Sequence, residues 1–516
     1  MYELEQHKVD KVMDYLNNSP IYKTLKTEEG YEVLSFNKEL SDKFIVPKLT
    51  RDKLKELEIF LTEHNTLNIK LGKEGFVSAA LREVDGEDDT NYDAVWVRDS
   101  SWIYEGLKAL GRSEDAKTVI LRLWDYYSTK AQTDRMKNII ENPSLSSDAM
   151  NCPHIRFDAS SPTLDDVFIK DENGNLKRQE WNHKQNDAHG MFLLSLHDAV
   201  YELNLTENDI TKERAESFAL LFQFFDAISY ESYEDSGAWE EIDAVRASSI
   251  GLVANAHYRW SQTLEEDSSF SKKLTSLTSE LKETERSSIE NLKSGWEKGL
   301  SVVKRHLENG GESPFYDKSS SLHRGADSAL LHLLTPYKLE GLEDSHVKEI
   351  ITLVRSLERE GGILRYENDS YQAMGYVWLK DGQLLHGTSD ENFKARAKLF
   401  DQFGYGTEPH WFFDSMLACV YLDLAKEAKE NGEPYSDLIE LAIRGVKRNL
   451  GQMTGTHTDL SPITADGEPV SSYLLPESIN VILKEGEKRY VTSIIVPLNW
   501  PMSSLSVCLK KLKSLI

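Results

Sequence analysis

Apolar residues recur with a helical spacing through most of this chain, and that periodicity constrains the fold more than any other feature. A spacing of about 3.6 residues predicts about twelve helices, plus a short one near residues 7–18. The predicted segments are 50–66, 96–110, 114–130, 186–203, 211–229, 246–262, 265–307, 324–334, 343–358, 409–430, 435–450 and 497–512. No Pro/Gly/Ser-rich linker separates them. The sequence therefore predicts an all-α toroidal barrel, with helices alternating between an inner and an outer ring.

Strand patterns are sparse by comparison. The stretches FIVPKL (44–49), GILRYE (362–367) and KRYVTSIIV (488–496) are predicted to form short hairpins or extended loops. We expect an N-terminal helical and extended segment, residues 1–49, to pack on the barrel. The barrel itself is expected to span residues 50–516.

Charge and composition exclude several classes of partner. The net charge of −26 argues against nucleic acids and anionic membranes, because the overall field repels phosphates. It is compatible with a neutral substrate such as a carbohydrate, and is equally explained as a solubility adaptation. Only three cysteines occur, far apart, without metal-ligand spacing or a disulfide framework. With no apolar signal region at the N-terminus, we expect a cytoplasmic protein unless a leader has been removed.

The stretches between predicted helices are where function is expected. Long loops on a rigid scaffold often carry binding and catalytic groups. The irregular stretches are 79–97, 134–185, 230–245, 308–323, 360–408 and 453–497. In a toroid, the loops at one end can converge on a central pocket.

Two early loops combine charged and aromatic residues. In DAVWVRDSSWIYEGL, Arg98 and Asp99 open a helix. The two-pronged hydrogen-bond donors of an arginine, beside a carboxylate, can bind vicinal sugar hydroxyls. A simpler interpretation makes Asp99 a first-turn acid paired with Arg98. In EWNHKQNDAHGMF, Trp181 could stack on a sugar ring, while Asn186 or Asp187 could be a helix N-cap.

The third loop contains SGAWEEID, residues 236–243, where Trp239 is followed by Glu240 and Glu241. Paired acids are common in the first turn of a helix, where they complement its dipole. Alternatively, a carboxyl group beside an indole and away from water has a raised pKa. A general acid working near neutral pH needs that property.

The later loops repeat the theme. GGILRYENDSYQ offers Arg365 and Tyr366, and GTEPHWFFD offers Glu408 and Trp411 at the expected start of a helix. YLLPES places Glu477 after a proline. Five loops thus present aromatic and charged groups just before an inner helix, which indicates one shared site.

Together, the motifs WVRDSSW, WNHKQNDAHG, SGAWEE, RYENDSY and LPES…VPLNWPMSSL resemble glycoside hydrolase family 15 over roughly residues 75–516. That family contains glucoamylases, glucodextranases and trehalases, and its fold recurs in the regulatory chains of phosphorylase kinase. The resemblance implies an (α/α)6 barrel and an inverting reaction. It also implies that no metal or organic cofactor is needed.

The resemblance also implies roles for individual residues. Glu240 matches the general acid and Glu477 the general base. Arg98 and Asp99 match the pair that binds the terminal sugar, and Arg365 matches a further arginine there. The remaining substrate-binding positions implied are Trp181, Trp239, Glu241, Tyr366, Glu408 and Trp411.

We therefore expect an inverting, exo-acting α-glucoside hydrolase that releases glucose from the non-reducing end of α-glucans or maltooligosaccharides. One alternative is a trehalose- or dextran-type α-glucosidase of the same fold. Another is a non-catalytic glycan-binding or regulatory protein like the phosphorylase kinase chains, which the insertion 134–180 favours. A lyase or epimerase on such a toroid is a fourth possibility, although the paired W-E-E and P-E motifs argue against it. The base motif reads Leu475-Pro476-Glu477-Ser478, where the family usually has P-E-Q. The oligomeric state is not predicted.

Overall fold

The computed structural model describes most of the chain. The described residues are 2–18, 22–26, 31–80, 92–170, 174–282, 289–371, 378–381, 383–384, 395, 398, 407–484 and 487–516. The α-helices are α1 Gln6–Asn18, α2 Lys38–Phe44, α3 Arg51–Glu63, α4 Val97–Ala109, α5 Ser113–Tyr127, α6 Lys130–Glu141, α7 Asn186–Glu202, α8 Lys212–Ile228, α9 Ala247–Glu265, α10 Ser269–Ser279, α11 Leu292–Glu308, α12 Asp344–Ser356, α13 Asp414–Glu430, α14 Ser436–Gly451 and α15 Asn499–Leu515.

Six helical segments form a closed inner ring. They are α4, α7, α9, the 3-10 segment Ser328–Leu333, α13 and α15, and each packs against the next, with α15 returning to α4. Helices α3, α5, α8, α11, α12 and α14 form an outer ring around them. The predicted alternation of inner and outer helices, and with it the (α/α)6 toroid, is confirmed.

The inner helices approach one another closely because they carry small residues at the contacts. A side chain at Gly106 of α4 would lie only 2.7 Å from Ser503 of α15, and one at Gly190 of α7 would lie 2.9 Å from the backbone of Leu252 in α9. Some outer helices instead have one apolar face. In α12, for example, Val347, Ile350 and Val354 are buried at helical spacing. Helix α8 differs, because residues 217–225 are all buried although it lies in the outer ring.

The strands are short. They are β1 Tyr2–Leu4, β2 Lys23–Lys26, β3 Glu32–Ser35, β4 Val95–Trp96, β5 Arg156–Phe157, β6 Phe168–Lys170, β7 Leu176–Arg178, β8 Glu358–Arg359, β9 Gly362–Ile363, β10 Trp378–Lys380, β11 Gln383–Leu384, β12 Thr407–Trp411, β13 Ser478–Lys484 and β14 Glu487–Thr492. Five of them form an antiparallel sheet in the order β14-β13-β12-β9-β8. This sheet is larger than the short hairpins predicted. In this sheet Trp411 pairs with Ser478, and this pairing brings together the loop before α13 and the loop before α15.

Three predicted helices are wrong at their ends or in their type. The segment 324–334 begins with two isolated backbone bridges, at Arg324 and Asp327, and continues as a 3-10 segment. Asp327 caps that segment by accepting a hydrogen bond from the Ala329 amide. The helix predicted over 409–430 begins only at Asp414, since Glu408 and Trp411 lie in β12. The segment 265–307 is interrupted after Glu265, and α10 starts anew with Ser268 as its N-cap.

Two of the segments predicted as short hairpins or extended loops contain little strand. At 44–49 the chain is leaving α2, whose N-cap Asn37 accepts a hydrogen bond from the Leu40 amide. The segment therefore follows a short helix, which ends at Phe44 and which apolar periodicity did not reveal. At 362–367 only Gly362–Ile363 is paired as a strand. Helix α6 was likewise missed, and its residues 134–141 fall in the stretch 134–185 that was predicted as irregular.

The N-terminal residues pack against the five-stranded sheet. Val12, Leu34 and Phe36 share an apolar cluster with Val481 and Val491. The Phe36 amide also donates to the carbonyl of Gly451 at the end of α14, over 3.0 Å. The division of the chain at residue 49 stays a prediction.

All three cysteines, Cys152, Cys419 and Cys508, are buried free thiols. Within the described ranges, no group of three or more His, Cys, Asp or Glu side chains is arranged to hold a metal ion. No helix in those same ranges has both the length and the apolar character needed to cross a bilayer. The cytoplasmic location stays a prediction.

Candidate active site

Side chains from all six loops that precede inner helical segments meet at one end of the toroid. The residues concerned are Tyr92; Arg156, Trp181 and Gln185; Glu240 and Glu241; Arg324 and Asp327; Arg365, Tyr366, Asp369, Tyr371 and Trp411; and Glu477. Arg98 and Asp99 join them from the first turn of α4. The predicted convergence of loops is therefore observed, with contributions from the loop before the 3-10 segment as well.

The turn that carries the two adjacent acids has an unusual backbone. Glu240 ends the 3-10 turn Gly237–Trp239 with φ 58° and ψ 37°, a left-handed conformation that non-glycine residues rarely adopt. The loop is closed by paired hydrogen bonds between Asp235 and Ala244, of 3.0 and 2.9 Å. Since such a backbone costs free energy and persists only when its surroundings hold it, the turn is a candidate functional feature.

This turn gives Glu240 and Glu241 different neighbours. Oε1 of Glu240 accepts a hydrogen bond from Nη2 of Arg98 over 2.7 Å, and its Oε2 accepts from Nε1 of Trp181 over 3.0 Å. Burial raises the pKa of Glu240 above its ordinary value, while the positive charge and hydrogen bond of Arg98 oppose that rise. The helix first-turn interpretation does not apply to Glu240, because α9 begins only at Ala247.

Arg98 is itself held from several sides. Its Nη1 donates to Oε1 of Gln185 over 3.0 Å and to Oδ2 of Asp187 over 3.1 Å. Among the described residues its ion pairs are with Asp187 and Glu240, and not with Asp99 as the simpler interpretation had it. Burial raises the pKa of Asp99 to about 7, although Arg98 opposes the shift.

Glu241 lies in a separate, more positive environment. Its Oε1 accepts from Nη2 of Arg365 over 2.7 Å, and its Oε2 accepts from the Tyr366 hydroxyl over 2.6 Å. Arg324 contributes a longer contact of 3.4 Å and stacks over the Tyr366 ring at 3.2 Å. The Glu241 side chain is only 1 % exposed. Its charge is therefore balanced chiefly by these two arginines.

The other aromatic residues predicted for the site are buried and anchored. Trp239 donates its indole N–H to Oδ1 of Asp327 over 2.8 Å. Trp411 donates to Oδ2 of Asp369 over 3.2 Å and lies parallel to the Tyr371 ring. Both indoles thus have fixed orientations.

Glu408 is half-buried and accepts a hydrogen bond from the Asn368 amide. Burial raises its pKa above the ordinary value for a glutamate. Because Glu408 is the second residue of β12 and Asn368 follows the Arg365–Tyr366 pair, this bond joins two parts of one long loop.

Glu477 immediately precedes β13 and is connected to the rest of the site by tyrosines. Its Oε1 accepts from the Tyr92 hydroxyl over 2.7 Å, and Tyr92 also contacts the Tyr371 hydroxyl at 3.1 Å. The Tyr371 amide donates to Asp369, which forms an ion pair with Arg365, the partner of Glu241. A continuous chain of polar contacts therefore links Glu477 to the acid pair.

Several residues of this network were not predicted. Tyr92, Arg324, Asp327 and Asp369 each bind a predicted site residue. Asp369 could have been suspected from its position four residues after Arg365. Arg324 and Asp327 were assigned to a predicted helix, and nothing in the stretch NYDAVW singles out Tyr92.

Comparison with known proteins places this geometry in context. The chain matches the family model "Glycosyl hydrolases family 15" over residues 64–493. A curated relative, "Uncharacterized lipoprotein YgeQ" of Escherichia coli (strain K12), is 39% identical over 216 residues, which cover 40% of this chain and 79% of the relative.

Solved structures share the fold at low sequence identity. "Glycosidase Wild Type" superposes with a TM-score of 0.54 at 14% identity, covering 90% of this chain and 99% of that one. The glucoamylase from Saccharomycopsis fibuligera gives a TM-score of 0.52 at 14% identity, covering 90% and 95%. The glucoamylase of Hormoconis resinae gives 0.52 at 10% identity, covering 89% and 73%. These structures support the (α/α)6 architecture, and the family match spans most of the barrel, so this chain belongs to glycosyl hydrolases family 15.

Proposed function

We propose that this protein is an inverting, exo-acting α-glucoside hydrolase that releases β-glucose from the non-reducing ends of α-glucans or maltooligosaccharides. Family membership supports glycoside hydrolase activity. The observation that carries the proposal further is the left-handed turn at Glu240, which gives one buried acid to Arg98 and Trp181 and the next to Arg365 and Tyr366. Two adjacent carboxylates thereby acquire separate tasks.

Glu240 is assigned the role of general acid. A carboxyl group kept from water retains its proton to a higher pH, and such a group can protonate the glycosidic oxygen near neutrality. Arg98 limits the rise in pKa, so the proton is not held too tightly for transfer. The N–H of Trp181 holds the second oxygen in place.

Glu477 is assigned the role of general base. An ionised carboxylate accepts hydrogen bonds through both oxygens, and the Tyr92 hydroxyl occupies one of them. In the proposed reaction, a carboxylate oxygen takes a proton from a water that attacks the sugar from the face opposite the leaving group. Inversion by this route requires the carboxyl groups of Glu240 and Glu477 to lie about 6.5–9.5 Å apart.

The terminal sugar is expected to lie among Arg98, Asp99 and Arg365. Guanidinium groups donate hydrogen bonds in a fixed fork, and carboxyl groups accept from neighbouring hydroxyls, so the set suits a polyol ring. Two of the proteins that share the fold are named glucoamylases, which favours exo-acting release of glucose.

The stereochemistry of the first product tests the proposal. Purified protein is incubated with maltose, maltotriose, isomaltose and trehalose while proton NMR follows the anomeric signals. We expect β-glucose to appear before mutarotation. Early α-glucose would overturn the inverting mechanism. Detectable sugar binding without hydrolysis during long incubation would overturn the hydrolase assignment and favour a glycan-binding protein.

Chemical rescue tests the base. In Glu477→Ala, hydrolysis is expected to fall by about 100-fold or more, because water is no longer deprotonated. Added azide needs no base and can attack from the vacated face, so an α-glucoside should yield β-glucosyl azide. The Glu477→Gln variant, which fills the space, is the matched control and should give little azide product. Equal azide product from both variants would contradict the assignment.

A further inference from the structure

Arg156 contacts two tryptophans beside the acid turn, which is the turn that carries Glu240 and Glu241. It belongs to β5, where it pairs directly with Trp96 of β4. Its guanidinium carbon is 4.2 Å from the ring centre of Trp181 and 5.3 Å from that of Trp96, and the two indoles contact each other edge to face at 5.3 Å. Arg156 is only 2 % exposed. It also donates a hydrogen bond to the side chain of Gln179, two residues before Trp181.

We propose that Arg156 is a positioning residue, which clamps the Trp181 indole against Trp96 so that the indole N–H stays directed at the carboxyl group of Glu240. The catalytic consequence rests on the proposed function, in which Glu240 is the acid. A guanidinium plane stacks on an indole through cation–π and dispersion contacts, and its planar shape limits how the ring can turn. On the Glu240 side, the Trp181 indole N–H donates to the carboxyl group over 3.0 Å.

The surrounding insertion is built to keep Arg156 in place. The rings of His154 and His183 stack on each other with their centroids 3.6 Å apart, and His154 lies two residues before Arg156 in the chain. His154 also bonds to Asp166 at 2.7 Å, and Asp166 pairs with Arg135 of α6 at 2.9 Å. The Ile155 amide, adjacent to Arg156, donates to Nδ1 of His183. In the predicted site, only Trp181 of the stretch 134–185 had a role. We infer that the rest of this stretch supports the acid turn.

Arg156 acts on the charge of Glu240 as well as on its geometry. The charged and titratable groups facing Glu240 are Arg98 and Asp99 from α4, with Asp187 of α7 behind Arg98, and Arg156 from β5. The positive charge of Arg156 lowers the pKa of Glu240 and so opposes the effect of burial. Removal of that charge should raise the pKa of the acid and move the alkaline limb of the kcat profile to higher pH.

Paired variants separate stacking from charge. Arg156→Met removes both the charge and the planar group, and is expected to lower kcat about ten- to hundredfold through misplacement of the acid. It should also shift the alkaline limb upward by about half to one pH unit. Arg156→Lys keeps the positive charge but lacks the planar guanidinium group. We therefore expect kcat to fall, while the alkaline limb of the kcat profile stays at nearly the same pH as in the unmodified protein. KM for maltose should change less than about threefold in both, because Arg156 is not expected to touch the sugar.

Arg135→Met is the matched control, because it removes another arginine of the same insertion that pairs with Asp166. It should lower kcat much less than Arg156→Met does and leave the alkaline limb in place, because Arg135 acts on β5 through Asp166 and His154. Unchanged kcat and pH profile in a folded Arg156→Met protein would overturn the proposal. Equal effects of Arg135→Met and Arg156→Met would also overturn it, since the role would then be general support of the insertion.

A measurement that needs no turnover keeps this inference separate from the proposed function. In protein labelled with 5-fluorotryptophan, the fluorine resonance of Trp181, assigned by its loss in Trp181→Phe, should titrate with Glu240 and stop titrating in Glu240→Gln. Arg156→Met should raise the midpoint by about half to one pH unit. If Arg156→Met does not fold, Arg156→Lys should still displace the resonance without moving the midpoint. A resonance identical to that of the unmodified protein in either folded variant would overturn the proposal, even if no glucoside is hydrolysed.

Discussion

Both ends of the toroid bury charged groups, but they build these clusters differently. At the end opposite the loops, Glu105 and Lys108 lie one turn apart on α4 and form an ion pair of 3.0 Å. Lys108 also binds Asp198 of α7, and Tyr104 donates to the same carboxylate. A cleft of about 810 Å³ adjoins this cluster, lined by residues from the ends of α4, α13 and α15, among others.

At the loop end, each acid is held by partners from separate loops. Burial raises the pKa of Glu105 just as it raises that of Glu240, so a shifted pKa alone does not distinguish the two ends. The backbone conformation does distinguish the two ends, because Glu105 lies in a regular helix whereas Glu240 lies in a left-handed turn. The comparison teaches that a buried acid in a strained turn, with partners drawn from several loops, is the better candidate for chemistry.

The largest expected effect comes from exchanging one buried carboxyl group at each end. Glu240→Gln should lower hydrolysis of maltose by about 10²–10⁴-fold in a protein that still folds, because the proton donor is lost. Glu105→Gln makes the same chemical change against Lys108 and Tyr337, and should alter stability while leaving kcat within about threefold. Steady-state kinetics and thermal unfolding of both variants test this. Similar losses of kcat in the two would erase the distinction between the ends.

The second expected effect is on stability. Glu241→Gln removes the charge that faces Arg365 and Arg324, and is expected to lower the free energy of unfolding by about 3 kcal/mol, as for a broken buried ion pair. Glu56→Gln, in an exposed pair with Lys53, is the control and should cost less than about 1 kcal/mol. Urea unfolding measures both. A cost for Glu241→Gln no larger than that of the control would contradict the buried network.

The third expectation concerns pH. Burial raises the pKa of Asp235, whose carboxylate accepts a hydrogen bond from the first amide of α7, to about 7 from an ordinary value of 3.8. The folded state therefore binds the Asp235 proton more tightly than the unfolded state does. The protonated Asp235 contributes its full stability below about pH 4, and this contribution is lost as the pH rises towards 7.

Asp235→Asn should remove this dependence. The difference in unfolding free energy between variant and unmodified protein should move in favour of the variant by up to about 4 kcal/mol between pH 4 and pH 7. Urea unfolding at several pH values gives this difference, and a flat difference would show that Asp235 does not titrate in that window.

The smallest expected effect comes from two phenols. Tyr366→Phe at the loop end and Tyr104→Phe at the opposite end each remove one hydroxyl that donates to a carboxylate over 2.6 Å. Each should cost about 1–2 kcal/mol of stability. Only Tyr366→Phe is expected to lower kcat/KM, by a few-fold, because Glu241 then loses a fixed donor. An equal fall in kcat/KM for Tyr104→Phe would mean that the two ends are coupled more closely than their separate contacts suggest.

Much of the fold was predictable because helical periodicity is a local property. Helices such as α5, α7 and α8 were predicted within a few residues of their observed ends. Two misassigned segments are set by local caps, at Ser268 and Asp327, and a third by a tertiary contact that overrides the pattern. At β12, pairing with Ser478 extends Glu408 and Trp411 as a strand, although the apolar spacing there is also compatible with a helix.

The sequence by itself determined which loops carry acids, arginines and tryptophans, and that these loops recur before inner helices, because both follow from residue order and spacing. Only the tertiary structure decided which acid meets which partner. Arg98 and Glu240 lie 142 residues apart, and Tyr92 and Glu477 lie 385 apart, so no local pattern encodes their contacts. The left-handed turn that separates Glu240 from Glu241 could not be predicted either, because its left-handed residue is Glu240 and not a glycine. The packing around the turn imposes this conformation.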